Sequence, residues 1–427
     1  MKIFWLLLYN IIIYPTLFLC TVFISIFYKK VKDSIFGKFR SLYILKKYFS
    51  SFDSHPNVYW FHAASLGEFY QVKPVLEGMN KIEGDRQLIV SFSSPSGYKN
   101  AYSKAVDLKF YMPFDFPWSV STALKIVKPK KIIFAAYDYW PNFIWITKTK
   151  GIHTNVFAAQ FSLKSYKMKI GFRNYYRNIF SSFESIYTNS EKDSNSMRAI
   201  IKDKKYPSLQ ALGNPRYDTV AQKAKRLENK YTENILDREK RIIIGSAHKE
   251  DDKILIPSLA HLMDTYPDLK VLYAPHEPSL KEISRIKSHF RDYKYISTVF
   301  KKDTDLTLSS DRLIVVGVLG ILSELYWQGI IAYVGGGYST GVHNVMEPAA
   351  ANLPVLFGPK FQNAYEAEEL IIAGGGHSIS NGEEFIIKVE HLLKDKNNLK
   401  ISSLAAKDVI YKNIGSSDKI IWNLMHE

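Results

Sequence analysis

The chain opens on one pattern of apolar and polar positions and continues on another. From Ile3 to Tyr28, "IFWLLLYNIIIYPTLFLCTVFISIFY", 26 positions pass without a charge. That is enough helix to cross a hydrocarbon core of roughly 30 Å. The stretch that follows, "KKVKDSIFGKFRSLYILKK", carries seven basic residues and one acid. By the positive-inside rule, this places everything after the apolar segment in the cytoplasm. A cleaved signal peptide competes with a retained anchor, because Cys20 and Thr21 are small. Against it, the apolar run exceeds an ordinary signal core and no A-x-A cleavage site follows. A helix lying partly in one leaflet, accommodating Asn10 and Pro15, is a variant of the anchor.

Beyond the anchor, short β-rich runs alternate with helical stretches, which predicts an α/β fold. "NVYWFHAA", "QLIVSFSS", "KKIIFAAY", "HTNVFAAQF" and "SIYTNS" read as strands of a first sheet. "RIIIGSA", "KVLYAPH", "LIVVG", "IIAYVGG" and "LPVLFGP" read as strands of a second. Between Tyr217 and Arg241 the chain turns charged, as a linker or connecting helix does. The predicted organisation is an anchor over 1–28, a first domain over 29–218, a linker over 219–240 and a second domain over 241–401. A C-terminal helix over 402–427 has no strand after it and is free to pack back on the first domain. Two doubly wound domains make a cleft, and ligands bind such folds at the carboxyl ends of the strands.

A length of 427 residues exceeds one ordinary core, in keeping with two domains. Hydrophobic residues make up 46%, which excludes a chain dominated by disorder. The single cysteine, Cys20, excludes an internal disulfide framework and a thiolate zinc cluster. A formal charge of +16 attracts nucleic acid and anionic lipid alike. Basic residues packed directly behind an apolar segment favour lipid.

Polar residues at strand ends are the candidate chemistry. In "WFHAASLGEFY", Ser65 and Glu68 have the spacing of a capping box, and spacing favours that reading. The same Glu68, at a strand-to-helix turn, is a candidate base for a sugar hydroxyl. In "AAYDYWPNFIW", Asp138 directly follows an apolar run and Trp140 is placed to wall a pocket; a turn under an aromatic plug is the alternative. "FSLKSYKMKIGFRNYYR" interleaves Lys164, Lys167, Lys169, Arg173 and Arg177 with aromatic residues, a mix suited to a phosphorylated lipid at a membrane surface. Arg216, in "LGNPRYD", is a candidate anion clamp. Ser246, His248 and His276 follow successive strands of the second domain and point to an anion pocket; they lack zinc-binding spacing, and no metal is read. Amides around Leu319 to Leu322, and the glycines Gly335, Gly336 and Gly337, allow close approach of a phosphate. Asn344 and Glu347 follow, one turn apart if a helix starts near Asn344, with Glu347 a candidate acceptor of ribose hydroxyls.

"HAASLGE", "DYWPN", "GNPRYD", "GSAH" and "VGGGYSTGVHNVMEPAAANLPVLFGPKFQN" resemble, in order and spacing, the 3-deoxy-D-manno-octulosonic acid (Kdo) transferases of Gram-negative bacteria. The resemblance spans nearly the whole chain. It implies a GT-B glycosyltransferase, two Rossmann-like domains facing across a cleft, that moves Kdo from CMP-Kdo to the tetraacylated lipid A precursor at the cytoplasmic face of the inner membrane. It assigns the general base to Glu68 and a second acid to Asp138; beside these, Ser65 and Gly67 of the same turn, and Lys164, Lys167, Lys169 and Arg173 of the basic aromatic stretch, are read on the acceptor and lipid side. Donor contacts fall on Arg216, Ser246, His248, His276, Gly320, Gly336, Gly337, Asn344 and Glu347. The chain departs from the family where P-R-H reads Ala274-Pro275-His276, where D-T-M-G-E-L reads "GVLGIL", and where Gln160 replaces a cation. Transfer by one inverting displacement, without metal, cofactor or nucleic-acid partner, is the expectation. A GT-B transferase using a UDP-sugar, or a catalytically silent membrane-attached lipopolysaccharide-binding protein, are the alternatives.

Overall fold

The structure, a computed structural model, describes residues 2–82, 84–163, 165–169, 171–201, 207–232, 234–293, 298–300, 311–362 and 364–426. It divides into two compact units, Met1–Thr219 with Gly415–Glu427, and Val220–Ile414.

Unit 1 is built on seven strands: β1 (Asn57–Ala63), β2 (Arg86–Phe92), β3 (Leu108–Tyr111), β4 (Lys131–Ala135), β5 (His153–Ala159), β6 (Ser185–Thr188) and β7 (Ser208–Ala211). They run in the order 3-2-1-4-5-6-7, and every pair is parallel. Side chains of β1 alternate between two cores because successive residues of a strand point to opposite faces. Val58 and Trp60 enter one core with Phe134 and Val156. Tyr59, Phe61 and Ala63 enter the other with Val75 and Met79. The last helix, Ser416–His426, adds Ile420, Ile421 and Leu424 to that second core. The final helical stretch is two helices, Lys396–Tyr411 in unit 2 and Ser416–His426 in unit 1, instead of one starting at Ser402.

Unit 2 repeats the plan with β8 (Arg241–Ala247), β9 (Lys270–Pro275), β10 (Thr298–Phe300), β11 (Leu313–Val316), β12 (Ile331–Val334), β13 (Val355–Phe357) and β14 (Gly376–Ser378). Their order is 10-11-9-8-12-13-14, again all parallel. In each sheet the order reverses beside the first strand, between β1 and β4 and between β8 and β12. At that point the connections leave to opposite faces and a crevice opens at the carboxyl ends. The charged stretch read as a linker is mostly a helix, Arg216–Glu228.

Ile3–Phe27 forms one helix long and apolar enough to cross a membrane. Of its described residues only Tyr9 and Tyr14 are buried, and both face unit 1. The Tyr9 hydroxyl donates to Asp115 at 2.8 Å, and the Asp115 amide donates to the Tyr14 hydroxyl at 2.6 Å. Asn10 exchanges side-chain hydrogen bonds with Asn142 at 2.8 and 3.0 Å. Trp5 lies tilted against Tyr175, and Tyr9, Tyr14 and Phe18 pack edge to face with Trp145, Trp140 and Phe116 of the unit. Polar groups in so apolar a segment are tolerated because the protein itself supplies their partners. The opposite face leaves Ile3, Leu7, Ile11 and Phe23 exposed. A second helix, Lys29–Phe49, follows and binds the β3 edge through Ser41, whose hydroxyl donates to Tyr111 O at 2.6 Å.

Candidate active site

In unit 1 the ends of the two switch strands meet. β1 runs into Ser65, the N-cap of the helix Leu66–Lys81, and the capping box expected from sequence is formed. The Ser65 amide donates to Glu68 Oε2 at 2.9 Å, and the Glu68 amide to Ser65 Oγ at 3.5 Å. β4 is followed by Ala136, a non-glycine residue at φ 59°, and that left-handed turn leads the chain to Asp138. Strain of this kind collects at functional sites.

Asp138 is held by three donors. Ser93 donates to it at 2.5 Å, the Trp140 indole at 3.1 Å, and His62 Nε2 lies 2.9 Å away. His62 is itself fully buried and fixed through Nδ1 by Ser91 at 2.9 Å. Burial pushes the Asp138 carboxyl up, but the His62 hydrogen bond and charge, with Ser93 and Lys38, outweigh it and bring it down to about 2. Asp138 is therefore an anion at neutral pH. Glu68 is pushed the other way. Burial raises it most and the Asp138 charge raises it further, against lowering by the Ser65 and Ala64 amides, and it stands at about 7. Two carboxyls with separated proton affinities are the arrangement in which one can take up a proton while the other stays ionised. Glu68 thus completes the capping box of a helix and, in the same place, carries a carboxyl raised to about 7. Gly67 is exposed on the first turn beside it.

Sequence reading missed the residues that tune this pair. Ser93 lies in a stretch quoted only as a strand, and His62 in a stretch read for Ser65 and Glu68 alone. Lys38, whose ammonium sits 4.3 Å from the Trp140 ring and is held below its usual value by burial, lies in the basic segment read as lipid-facing.

In unit 2 the glycine-rich loop closes over β8. Ser246, next to last in that strand, has φ 55°, and a Cβ on Gly335 would meet Ser246 O at 2.3 Å. Gly336 has φ 93°, where only glycine is unstrained. Asp251, fully buried, organises the loop, accepting at 2.8 Å from each of the His248 amide, the Gly336 amide and the Tyr333 hydroxyl. No pattern in the sequence distinguished Asp251 from its acidic neighbours.

His248 and His276 come together as expected, and His343 joins them. The three rings stack nearly parallel, with centroids 4.4–4.9 Å apart. Burial, then its histidine neighbours, lowers His343 to about 4, and His276 is lowered by burial and by His248. Their ligand nitrogens lie within 4.8 Å of one another, so this is the one group among the described residues whose spacing could hold a metal ion. The same stack of imidazoles can equally line an anion pocket.

The remaining predicted residues divide. Asn344 lies one residue before Val345, the N-cap of the short helix Met346–Ala350, and its Oδ1 accepts from the Met346 amide at 3.2 Å. Glu347 is engaged by Lys223 at 3.0 Å. Gly320 is exposed at φ 87° after β11. Arg216 belongs to unit 1, where its amide donates to Asn214 at 3.0 Å. Of the basic cluster, Lys164 lies outside the described residues. Lys169 is exposed, while Arg173 and Arg177 donate to Ala199 O and Ile200 O, completing the end of the helix Glu191–Ile201. Lys167 turns inward, 5.4 Å from the Tyr139 ring and 5.3 Å from the Tyr176 ring.

Two parallel doubly wound sheets, each with polar residues at its switch strands, define the class: the α/β architecture of GT-B glycosyltransferases and sugar-nucleotide epimerases. Among solved structures, UDP-GlcNAc 2-epimerase from Neisseria meningitidis aligns with a TM-score of 0.61 at 14% identity, covering 87% of this chain and all of the other. A glycosyltransferase from Rickettsia africae aligns at 0.56 and 13%, covering 88% of this chain and all of the other. Similarity in sequence points more narrowly. Residues 40–219 match the family described as 3-deoxy-D-manno-octulosonic-acid transferase. It is similar to the 3-deoxy-D-manno-octulosonic acid transferase of Aquifex aeolicus, 26% identical over 366 residues that cover 84% of this chain and 93% of the relative.

Proposed function

We propose that the protein transfers Kdo from CMP-Kdo to the tetraacylated lipid A precursor, at the cytoplasmic face of the inner membrane. The observation that carries this reading is Glu68: a half-buried carboxyl at about 7, beside an ionised Asp138, at the switch point of unit 1. A base near the working pH is the most effective acceptor of a hydroxyl proton. An acceptor hydroxyl gives its proton to Glu68 and its oxygen attacks the anomeric carbon of Kdo, while the bond from that carbon to the phosphate oxygen breaks. CMP leaves with both electrons, and the configuration inverts in this single displacement. Gly336, Gly337 and Ser246 allow the chain to approach the departing phosphate closely, and the imidazoles of His248, His276 and His343 supply polar groups beside it. Asp138 stays charged and holds Glu68 up.

Glu68→Gln keeps the shape and removes the base. Turnover of CMP-Kdo in the presence of acceptor should fall by about 10²–10⁴-fold. Unchanged turnover contradicts the role of Glu68. Catalysis in this scheme uses no metal, so activity should survive a strong chelator. Loss in chelator with rescue by a divalent ion would transfer the chemistry to a cation, and the three-histidine group is where to look for it.

A further inference from the structure

Within unit 1, a cavity of about 640 Å³ lies between the apolar helix and the loops at the strand ends. That is the size of a small-molecule site. One wall is the helix itself, through Trp5, Leu8 and Ile13; the other is the unit, through Trp140, Tyr175 and Ile179. Two groups in this apolar lining are charged. Asp138 brings the cavity to the candidate catalytic pair. Lys167 lies against aromatic rings there and, among the described residues, forms no ion pair with a carboxylate. The helix that makes the first wall turns its other face outward, with Ile3, Leu7 and Ile11 exposed, so the cavity adjoins a surface suited to hydrocarbon. An apolar chamber with one uncompensated cation fits a hydrocarbon chain joined to an anionic headgroup.

We infer that this cavity seats one acyl chain of the acceptor glycolipid, with Lys167 meeting its phosphate. The N-terminal helix is then a wall of the acceptor site as well as a membrane attachment. This rests on the acceptor being a lipid, as proposed above. Trp140, which donates to Asp138 and lines the cavity, joins the seat of the chain to the reacting groups.

The test uses the full chain and measures three quantities: KM for the lipid A precursor, kcat, and partition onto phosphatidylethanolamine–phosphatidylglycerol vesicles that hold no acceptor. Leu8→Trp puts a larger side chain into the cavity and should raise the acceptor KM at least tenfold, with kcat and partition unchanged. Lys167→Met should raise it comparably, and Lys167→Arg should restore most of the loss. Leu6→Trp, on the exposed face of the same helix, should alter none of the three. An unchanged KM in both Leu8→Trp and Lys167→Met overturns the inference. So does a KM that rises only as far as vesicle partition falls, since the helix would then be an attachment alone. Absence of Kdo transfer by the unaltered protein overturns the proposed function itself, and the two failures are told apart by that control.

Discussion

Glu68 receives opposing demands from its surroundings. The amides of Ser65 and Ala64 favour its charged form, while burial and the Asp138 anion favour the neutral one and prevail. A base that must be ionised to act gives a rate that falls about tenfold per pH unit below its midpoint and levels off above it. The transfer rate should therefore rise through about pH 7. Asp138→Asn removes the smaller of the two raising causes, so the midpoint should move to lower pH yet stay above the ordinary glutamate value. A midpoint that does not move would show that Asp138 does not act on Glu68. The cap was legible in S-L-G-E, as was a carboxyl at a strand-to-helix turn. The raised proton affinity was not, because it depends on residues about 70 positions away that only the pairing of β1 with β4 brings near. Arg173 shows the converse: its charge read as lipid-facing, but its guanidinium closes a helix end.

At the level of elements, the long central strands were legible because both of their faces are apolar, as in a parallel sheet covered on both sides. β3, β7, β10 and β14 were not read. They are three or four residues long, and "SLQA" and "GHS" carry little apolar signal. The apolar helix was plain in the sequence, but its docking was not, since Tyr9 and Asp115 are 106 residues apart. Asp115 is fully buried and also accepts from the Asn142 and Phe143 amides, each at 3.0 Å, at the start of the helix Pro141–Thr149. Asp115→Ala leaves the Tyr9 hydroxyl and two amides without their acceptor, which should cost about 3–5 kcal/mol of stability. Denaturant unfolding of the detergent-solubilised protein measures this; a loss below about 1 kcal/mol would mean that these contacts do not hold the helix to the unit.

Across the whole molecule, the two units use one architectural device for different ends. Each sheet reverses its strand order beside its first strand and places polar groups at that reversal. In unit 1 they are carboxyls with separated proton affinities; in unit 2 they are glycines, imidazoles and a buried aspartate that fixes the loop. This division is the basis for assigning the acceptor to the first unit and the nucleotide to the second. The measurement that tests the proposed transfer most directly is mass spectrometry of the lipid made by purified protein from CMP-Kdo and the tetraacylated lipid A precursor. Kdo transfer predicts a precursor heavier by one or more Kdo residues, formed with CMP-Kdo and with no UDP-sugar. A precursor whose mass is unchanged by CMP-Kdo, or changed by a UDP-sugar in its place, would contradict it.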